Sequence, residues 1–576
     1  MPNPRHALLS VLLAALFLFT LPDSLSASGC PANDGATVLS PVLNYPLMSP
    51  NYAVQYRVGA GPWTQATTYI SVYGATLASP YRGDSGYSQN EQTSLSFVNI
   101  PAQAGALVQL RVTKLFGTPF TPADHVTVRP TVFPAEVDTL PGGEVQISTV
   151  TAAAFAGEQF ILWWERGSDN AGIEGLAFFL NPPYAAPASS VKVVRTDADL
   201  DDVSAVTALD IEGSFTIAHT QGEYEVPPNI LTIYIAQDVW VKGKLRFSAD
   251  TDPAGHTRTL YGPGVLDGSL FDYKQRACGG AEGDYTLTTD AANGVLNYFT
   301  IDGIMLTDTN HAATKILFHS TLNNMKTLGW NAENAALRLG NNTTASNLFI
   351  RSGDDSLMIW GEPVAVTNAT VWQNYNGGVV NLGWSNTGTG QGTTLDGLHV
   401  VKTDWTQPTG LYWTSTAPDQ LDNQNNAVFA SLMTPGTSYG GKPPTPVFRN
   451  IFVEDPPNVL FSLKILPPIC ADTGLTCPMF QYTGSTVALS IENLFSPQSK
   501  ADNSIGFQIL QSGFTQDSIE VPTTAPLPGT MAVNFTNVFL QGRFGLWLPL
   551  TSFDAGSLGK ISTRGNVNLT YNLGLP

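Results

Sequence analysis

From Ala36 to about Asp202 the chain alternates apolar and polar positions in short runs such as "YAVQYRV", "LVQLRVTKL" and "GEVQIST", with Gly, Pro and Asn between them. A period of two with frequent turns predicts an antiparallel β-sandwich. The acidic stretch from Thr196 to Asp202 marks its expected end, so that residues 28–204 form the first domain.

Beyond this point the pattern repeats. An Asn or Asp followed by a small or aliphatic residue and then alternating apolar positions recurs at Asp302, Asn324, Asn347, Asn368, Asp396, Asn450, Asn493 and Asn537. The intervals are 22, 23, 21, 28, 54, 43 and 44 residues. They fit a solenoid of roughly 20 to 28 residues per coil in which the longer intervals are double coils. Asn and Asp tolerate the left-handed backbone conformation, and their short side chains bond neighbouring backbone at a corner. The fold expected is all-β: a sandwich followed by a right-handed parallel β-helix over residues 205–576, with the eight residues stacked near one corner.

Composition agrees: 53 Gly and 40 Pro with only 13% charged residues describe short strands and tight turns. The formal charge is −19 with no Lys/Arg cluster, which argues against nucleic acid and anionic membrane surfaces and favours a neutral ligand. Met1 to about Ala27 reads as a secretory signal, with Arg5 and His6 ahead of an apolar run from Leu8 to Leu21; lipoprotein cleavage before Cys30 is the lesser alternative. Secretion, and a mature form off the membrane, follow as expectations. Four cysteines in an exported chain are expected to pair, with Cys470 and Cys477 close enough to close a small loop and Cys30 and Cys278 partners by elimination. Their spacing does not suit zinc, the seven His show no metal-like pattern, and neither metal nor cofactor is expected. Asn341, Asn342, Asn368, Asn534 and Asn568 fit the glycosylation acceptor pattern, or are corner residues.

Candidate chemistry concentrates between Gly329 and Trp360. Asp354 and Asp355 follow Gly353, and Glu333 lies about one coil earlier. Adjacent strand residues face opposite sides, so a bend at Ser352-Gly353 is required to bring both carboxylates to one surface. Such a cluster suits glycoside hydrolysis, in which one carboxylic acid protonates the leaving oxygen and a carboxylate activates water. Around it Trp330, Trp360, Trp372, Tyr375 and Trp384 offer planes for sugar rings, Trp384 foremost, and Asn376 and Asn381 offer bonds to hydroxyls.

The segments "VTVRP", "IYIAQDVWVKGKLRF", "LYGPGVLDGSLFDY", "SGDDSLMIW" and "TVWQNYNGGVVNLGWS" resemble glycoside hydrolase family 49, the dextranase and isopullulanase family. The resemblance implies a sandwich joined to a parallel β-helix, and inverting, endo-acting hydrolysis of α-linked glucan. A monomer is expected. It implies Asp354 as general acid and Asp355 as base. Where the family carries Gln-Thr-Asp-Gly one coil earlier, this chain has Ala332-Glu333-Asn334-Ala335, which makes Glu333 the best-placed third carboxylate. The family's Lys three residues past the pair is Met358 here. Two rival readings are a polysaccharide-binding β-helix with an impaired acid-base set and a polygalacturonase-like hydrolase.

Overall fold

The computed structural model describes residues 48–72, 94–166, 169–171, 174–248, 255–270, 285–289, 298–309, 312–315, 317–330, 335–374, 377–382, 392–405, 426–433, 445–457, 459–465, 486–498, 503–507, 530–541, 546–550, 561–564 and 567–573. The signal segment and all four cysteines lie outside these residues.

Two five-stranded sheets form the first unit. One orders Thr64–Ala66, Tyr52–Val58, Leu107–Lys114, Glu144–Val150 and Ala135–Thr139; the other orders Thr68–Val72, Ser94–Pro101, Glu174–Asn181, Glu158–Trp163 and Thr127–Arg129. Every neighbour within them is antiparallel except Glu174–Asn181 beside Ser94–Pro101, which is parallel. Alternation sends Val108, Leu110 and Val112 into the core, and Val145 and Ile147 opposite them.

The parallel stack starts earlier than expected. Val191–Val194 already pairs in parallel with Ala208–Ile211, so the coil begins before the acidic stretch and not beyond it. That stretch is a 3-10 turn over Asp197–Leu200 inside the first coil, where Asp199 Oδ2 accepts the Thr196 N–H at 2.9 Å and the Thr196 hydroxyl at 2.9 Å. Its charge belongs to a solvent-facing turn, and turn and domain edge look alike in composition.

Nineteen strands, from Val191–Val194 to Val567–Asn572, form the largest sheet of the coil, and a seven-stranded sheet from Leu337–Leu339 to Ile561–Arg564 forms a second wall. Inward residues stack from coil to coil. Leu260, Ile301, Leu322, Ala345, Val366 and Leu395 are in register and buried.

The repeated Asn is the corner. Asn324, Asn347, Asn368, Asn450, Asn493 and Asn537 all have φ between 50° and 57°. In the two Asp coils the left-handed residue is instead the next one, Gly303 or Gly397, each at φ 82°. Asp302 is in register with Asn323, and Asp396 with Thr367 and Arg449, one position before the corner. Asp396 nevertheless joins the ladder: Asn450 Nδ2 donates to Asp396 Oδ1 at 2.7 Å, Asn493 to Asn450 at 3.1 Å and Asn537 to Asn493 at 3.1 Å.

The sandwich packs on the outer face of the coil. Trp240, Val265, Met305, Leu328, Phe349 and Val401 point outward yet share one buried cluster with the sandwich core. Polar groups close the seam: Asn324 Nδ2 donates to Asn181 Oδ1 at 3.0 Å, and Arg129 pairs with Glu454 at 3.3 Å and Asp455 at 2.8 Å.

Candidate active site

The strand Thr343–Ser352 runs up one wall and ends at the bend Gly353-Asp354; the next strand, Leu357–Ile359, belongs to the second wall, beside Leu337–Leu339. The required bend is thus in place. Buried polar groups hold it. Gln373, in register with Ser352 on the following coil, donates Nε2 to the Asp354 carbonyl at 2.9 Å. Ser352 Oγ donates to the same carbonyl at 2.6 Å, and Ser356 Oγ donates to Gln373 Oε1 at 2.6 Å. Ser352, Ser356 and Gln373 are fully buried, so these bonds are made away from water, where an unmade one is costly.

Both carboxyls then meet the glycine turn of the next coil. The Gly378 N–H donates to Asp355 Oδ1 at 2.7 Å, and Asp354 Oδ1 accepts the Asp355 N–H at 2.8 Å. A β-carbon on Gly377 would stand 2.4 Å from Asp354 Oδ1, so only glycine admits this approach. Trp405 Nε1 donates to the Gly377 carbonyl at 2.9 Å and fixes the turn from the far side.

The two environments differ. Asp354 is half-buried, whereas Asp355 is 5% exposed. Burial pushes the Asp355 carboxyl up to about 6, against the pull of the Gly378 N–H, the Asn381 amide and the Arg338 charge, which favour the ionised form. Asn381 is buried beside it, and among the described residues its amide has no hydrogen-bond partner of good geometry.

Trp360 is half-buried and lies on this outer edge, packed against Tyr285, Ala312, Ala335 and Met358. Trp330 and Trp372 do not. They are 2% and 1% exposed within the core shared with the sandwich. Trp330 Nε1 donates to Ser71 Oγ of the sandwich at 2.6 Å, and the Arg351 guanidinium lies 3.3 Å above the Trp330 ring. Trp372 meets Trp163 edge-on at 6.2 Å. Their planes are covered by protein, which corrects the expectation that they stack on sugar. Glu333, Tyr375, Asn376 and Trp384 lie outside the described residues, as do Cys470 and Cys477. Arg338, Ser356, Gln373 and Gly377 reach the site without having been singled out by sequence. Among the described residues no cluster of His, Cys, Asp and Glu is arranged to hold a metal ion, and no helix is long and apolar enough to cross a membrane.

No family model matches the chain. Over 180 residues it is 26% identical to the dextranase of Arthrobacter globiformis, a match covering 28% of this chain and 27% of that protein. Over 225 residues it is 23% identical to the dextranase of Talaromyces minioluteus, covering 39% of this chain and 30% of that protein. The chain therefore spans less than a third of the length of these curated relatives. Among solved structures it matches Dex49A from Penicillium minioluteum with a TM-score of 0.62 at 15% identity, over 91% of this chain and 94% of that one. The fold is shared almost end to end, and the chain is dextranase-like, in keeping with its sequence motifs.

Proposed function

We propose that this dextranase-like chain is a secreted, inverting glycoside hydrolase that cleaves α-linked glucan of the dextran or pullulan type. The observation that carries this reading is the convergence of Asp354 and Asp355 on the Gly377-Gly378 turn in unlike surroundings. Asp354, half-open to solvent, is the general acid that protonates the glycosidic oxygen. Asp355, buried and bonded to the Gly378 N–H, is the base that takes a proton from the attacking water. An ionised neighbour disfavours a second charge, so one carboxylate of a close pair helps the other keep its proton. Trp360 offers a ring at the outer edge for a glucosyl face. Glu333 supplies the third carboxylate.

Reducing-sugar release from dextran and pullulan tests the reading, with the anomer of the first-formed product followed by NMR. Wild-type protein is expected to release inverted product, and Asp354→Asn to lose turnover by about 10²–10⁴-fold, the usual worth of a positioned acid. An aryl glucoside with a good leaving group should restore part of the Asp354→Asn activity and none of the Asp355→Asn activity. Retained configuration overturns the mechanism. Binding of these glucans without any release leaves the polysaccharide-binding reading in its place.

A further inference from the structure

Val191–Val194 is the first strand of the parallel stack and pairs on one side only, with Ala208–Ile211. The apolar column of the coil must be closed at this end by side chains from the turns. Leu200 and Val203 do so: they are 4% and 5% exposed and belong to the core cluster of the coil. Leu200 comes from the 3-10 turn Asp197–Leu200, which has no strand ladder to hold it in place.

The second coil supplies the hold. His219 opens the turn His219–Gly222, between the strands Phe215–Thr216 and Glu223–Val226. Its Nδ1 lies 2.8 Å from Asp197 Oδ1 and its Nε2 lies 3.1 Å from Asp201 Oδ1, so one ring grips the acidic turn at both ends. The Ala218 N–H donates to the same Asp197 oxygen at 3.0 Å. The Tyr224 ring meets the imidazole edge-on at 5.4 Å, and its hydroxyl donates to the Leu200 carbonyl at 3.3 Å.

Both imidazole nitrogens thus face carboxylate oxygens, and an ionised carboxylate only accepts. A neutral ring has one N–H, so it can serve one carboxylate and turns a lone pair toward the other; the doubly protonated ring donates to both. The remaining charges of this neighbourhood are engaged elsewhere. Asp199 Oδ2 accepts the Arg195 and Thr196 N–H groups, Lys192 Nζ from the first strand donates to the Asp201 and Asp202 carbonyls, and Glu223 pairs with Arg246 at 2.6 Å. Burial opposes a charge on His219, but the hydrogen bonds and charges of Asp197 and Asp201 outweigh it and hold the imidazole above its ordinary value.

We propose that His219 is a proton-operated latch: its imidazolium pins the Asp197–Leu200 turn, and with it Leu200, over the core of the first coil, and loss of the proton frees the turn while the rest of the coil stays folded. A ring whose proton is held more tightly in the folded than in the unfolded chain adds its full stability below about pH 6.5 and none once pH has passed its raised value. The latch is therefore shut on the acid side and opens on the alkaline side, whatever the carboxyl turn at Asp354 does.

Because the effect is local, the test reads the turn and not the whole molecule. In NMR of the full chain the His219 ring, identified by its absence in His219→Gln, should titrate above about 6.5, and lower in Asp197→Asn and in Asp201→Asn than in wild type. In hydrogen exchange read by mass spectrometry, peptides over residues 196–203 should lose protection by about two- to fivefold from pH 6 to pH 9 after correction for the intrinsic rate, the worth of an ion pair open to water. Peptides over residues 343–352 should keep theirs. His219→Gln should show the open level at both pH values. Asp201→Asn should lose the pH step while its His219 still bonds Asp197, and at a side chain 74% exposed it carries the test if His219→Gln does not fold. A His219 that titrates at or below about 6.5, or protection over 196–203 that changes with pH alike in wild type and both variants, overturns the proposal.

Discussion

Gly377 is held at φ 76° with Asp354 Oδ1 and the Asp355 nitrogen each 2.4 Å from where a β-carbon would stand. Gly377→Ala has to push the carboxyl pair away or rebuild the turn. The expected outcome is a loss of about 1–3 kcal/mol in stability from strain and about 10²-fold or more in kcat/KM from misplacement of the reacting groups, read from denaturant unfolding and from initial rates on dextran. At this scale the sequence was only partly legible. The carboxyl pair and its bend follow from adjacency and the pleat. Trp330 and Trp372 were misassigned because an outward aromatic on a coil serves a sugar or a second domain equally well, and nothing local says which face the sandwich covers. Arg338 and Gln373 carry no motif. Their placement appears only when neighbouring coils are laid in register, although the charge of Arg338 between two leucines, about one coil ahead of Met358, was a signal available in the sequence.

Among the coils, the Asn corner combines backbone tolerance with a side-chain bond to the next coil, and the two contributions separate by substitution. Asn450 accepts from Asn493 at 3.1 Å and donates to Asp396 at 2.7 Å while its backbone sits at φ 57°. Asn450→Gly keeps the backbone and loses two hydrogen bonds, an expected cost of about 1–3 kcal/mol. Asn450→Ala also forces a β-carbon into the left-handed region, adding about 1–2 kcal/mol. Chemical denaturation of the two variants checks the order; equal losses would mean that the backbone term is absorbed elsewhere. The corner repeat was legible because few residue types tolerate this geometry. The one-residue offset in the Asp coils was not, because Asp302-Gly303 and Asp396-Gly397 match the repeat by chemical likeness while the glycine takes the turn. The early start of the coil was hidden likewise, since Val191–Val194 is too short to show a period of its own.

Across the whole molecule, sandwich and coil share one core, and a buried cation sits in the seam between them. Lys326 Nζ donates to Asn181 Oδ1 at 2.6 Å and to the Gly303 carbonyl at 3.1 Å, and burial lowers it to about 7. The unfolded chain therefore binds one more proton than the folded one between pH 7 and about 10, so stability rises with pH over that window. In calorimetry the thermal midpoint should show this rise in wild type and lose it in Lys326→Met, which at pH 6 should melt no lower than wild type because Asn181 Oδ1 keeps its bond from Asn324. Parallel curves for the two proteins would refute the assignment. That a sandwich precedes a coil could be read from the two periods in the sequence, but that they fuse could not, because the joining residues are scattered singly over many coils. One strand links this fusion to the site. Thr343–Ser352 carries Arg351, stacked on Trp330 at the seam, and the chain reaches Asp354 three residues after that arginine. The sandwich is thus the foundation on which the carboxyl turn is levelled. Anyone trimming this protein to a smaller tool by deleting its first domain removes the footing of the strand that leads to Asp354, along with surface that looks dispensable.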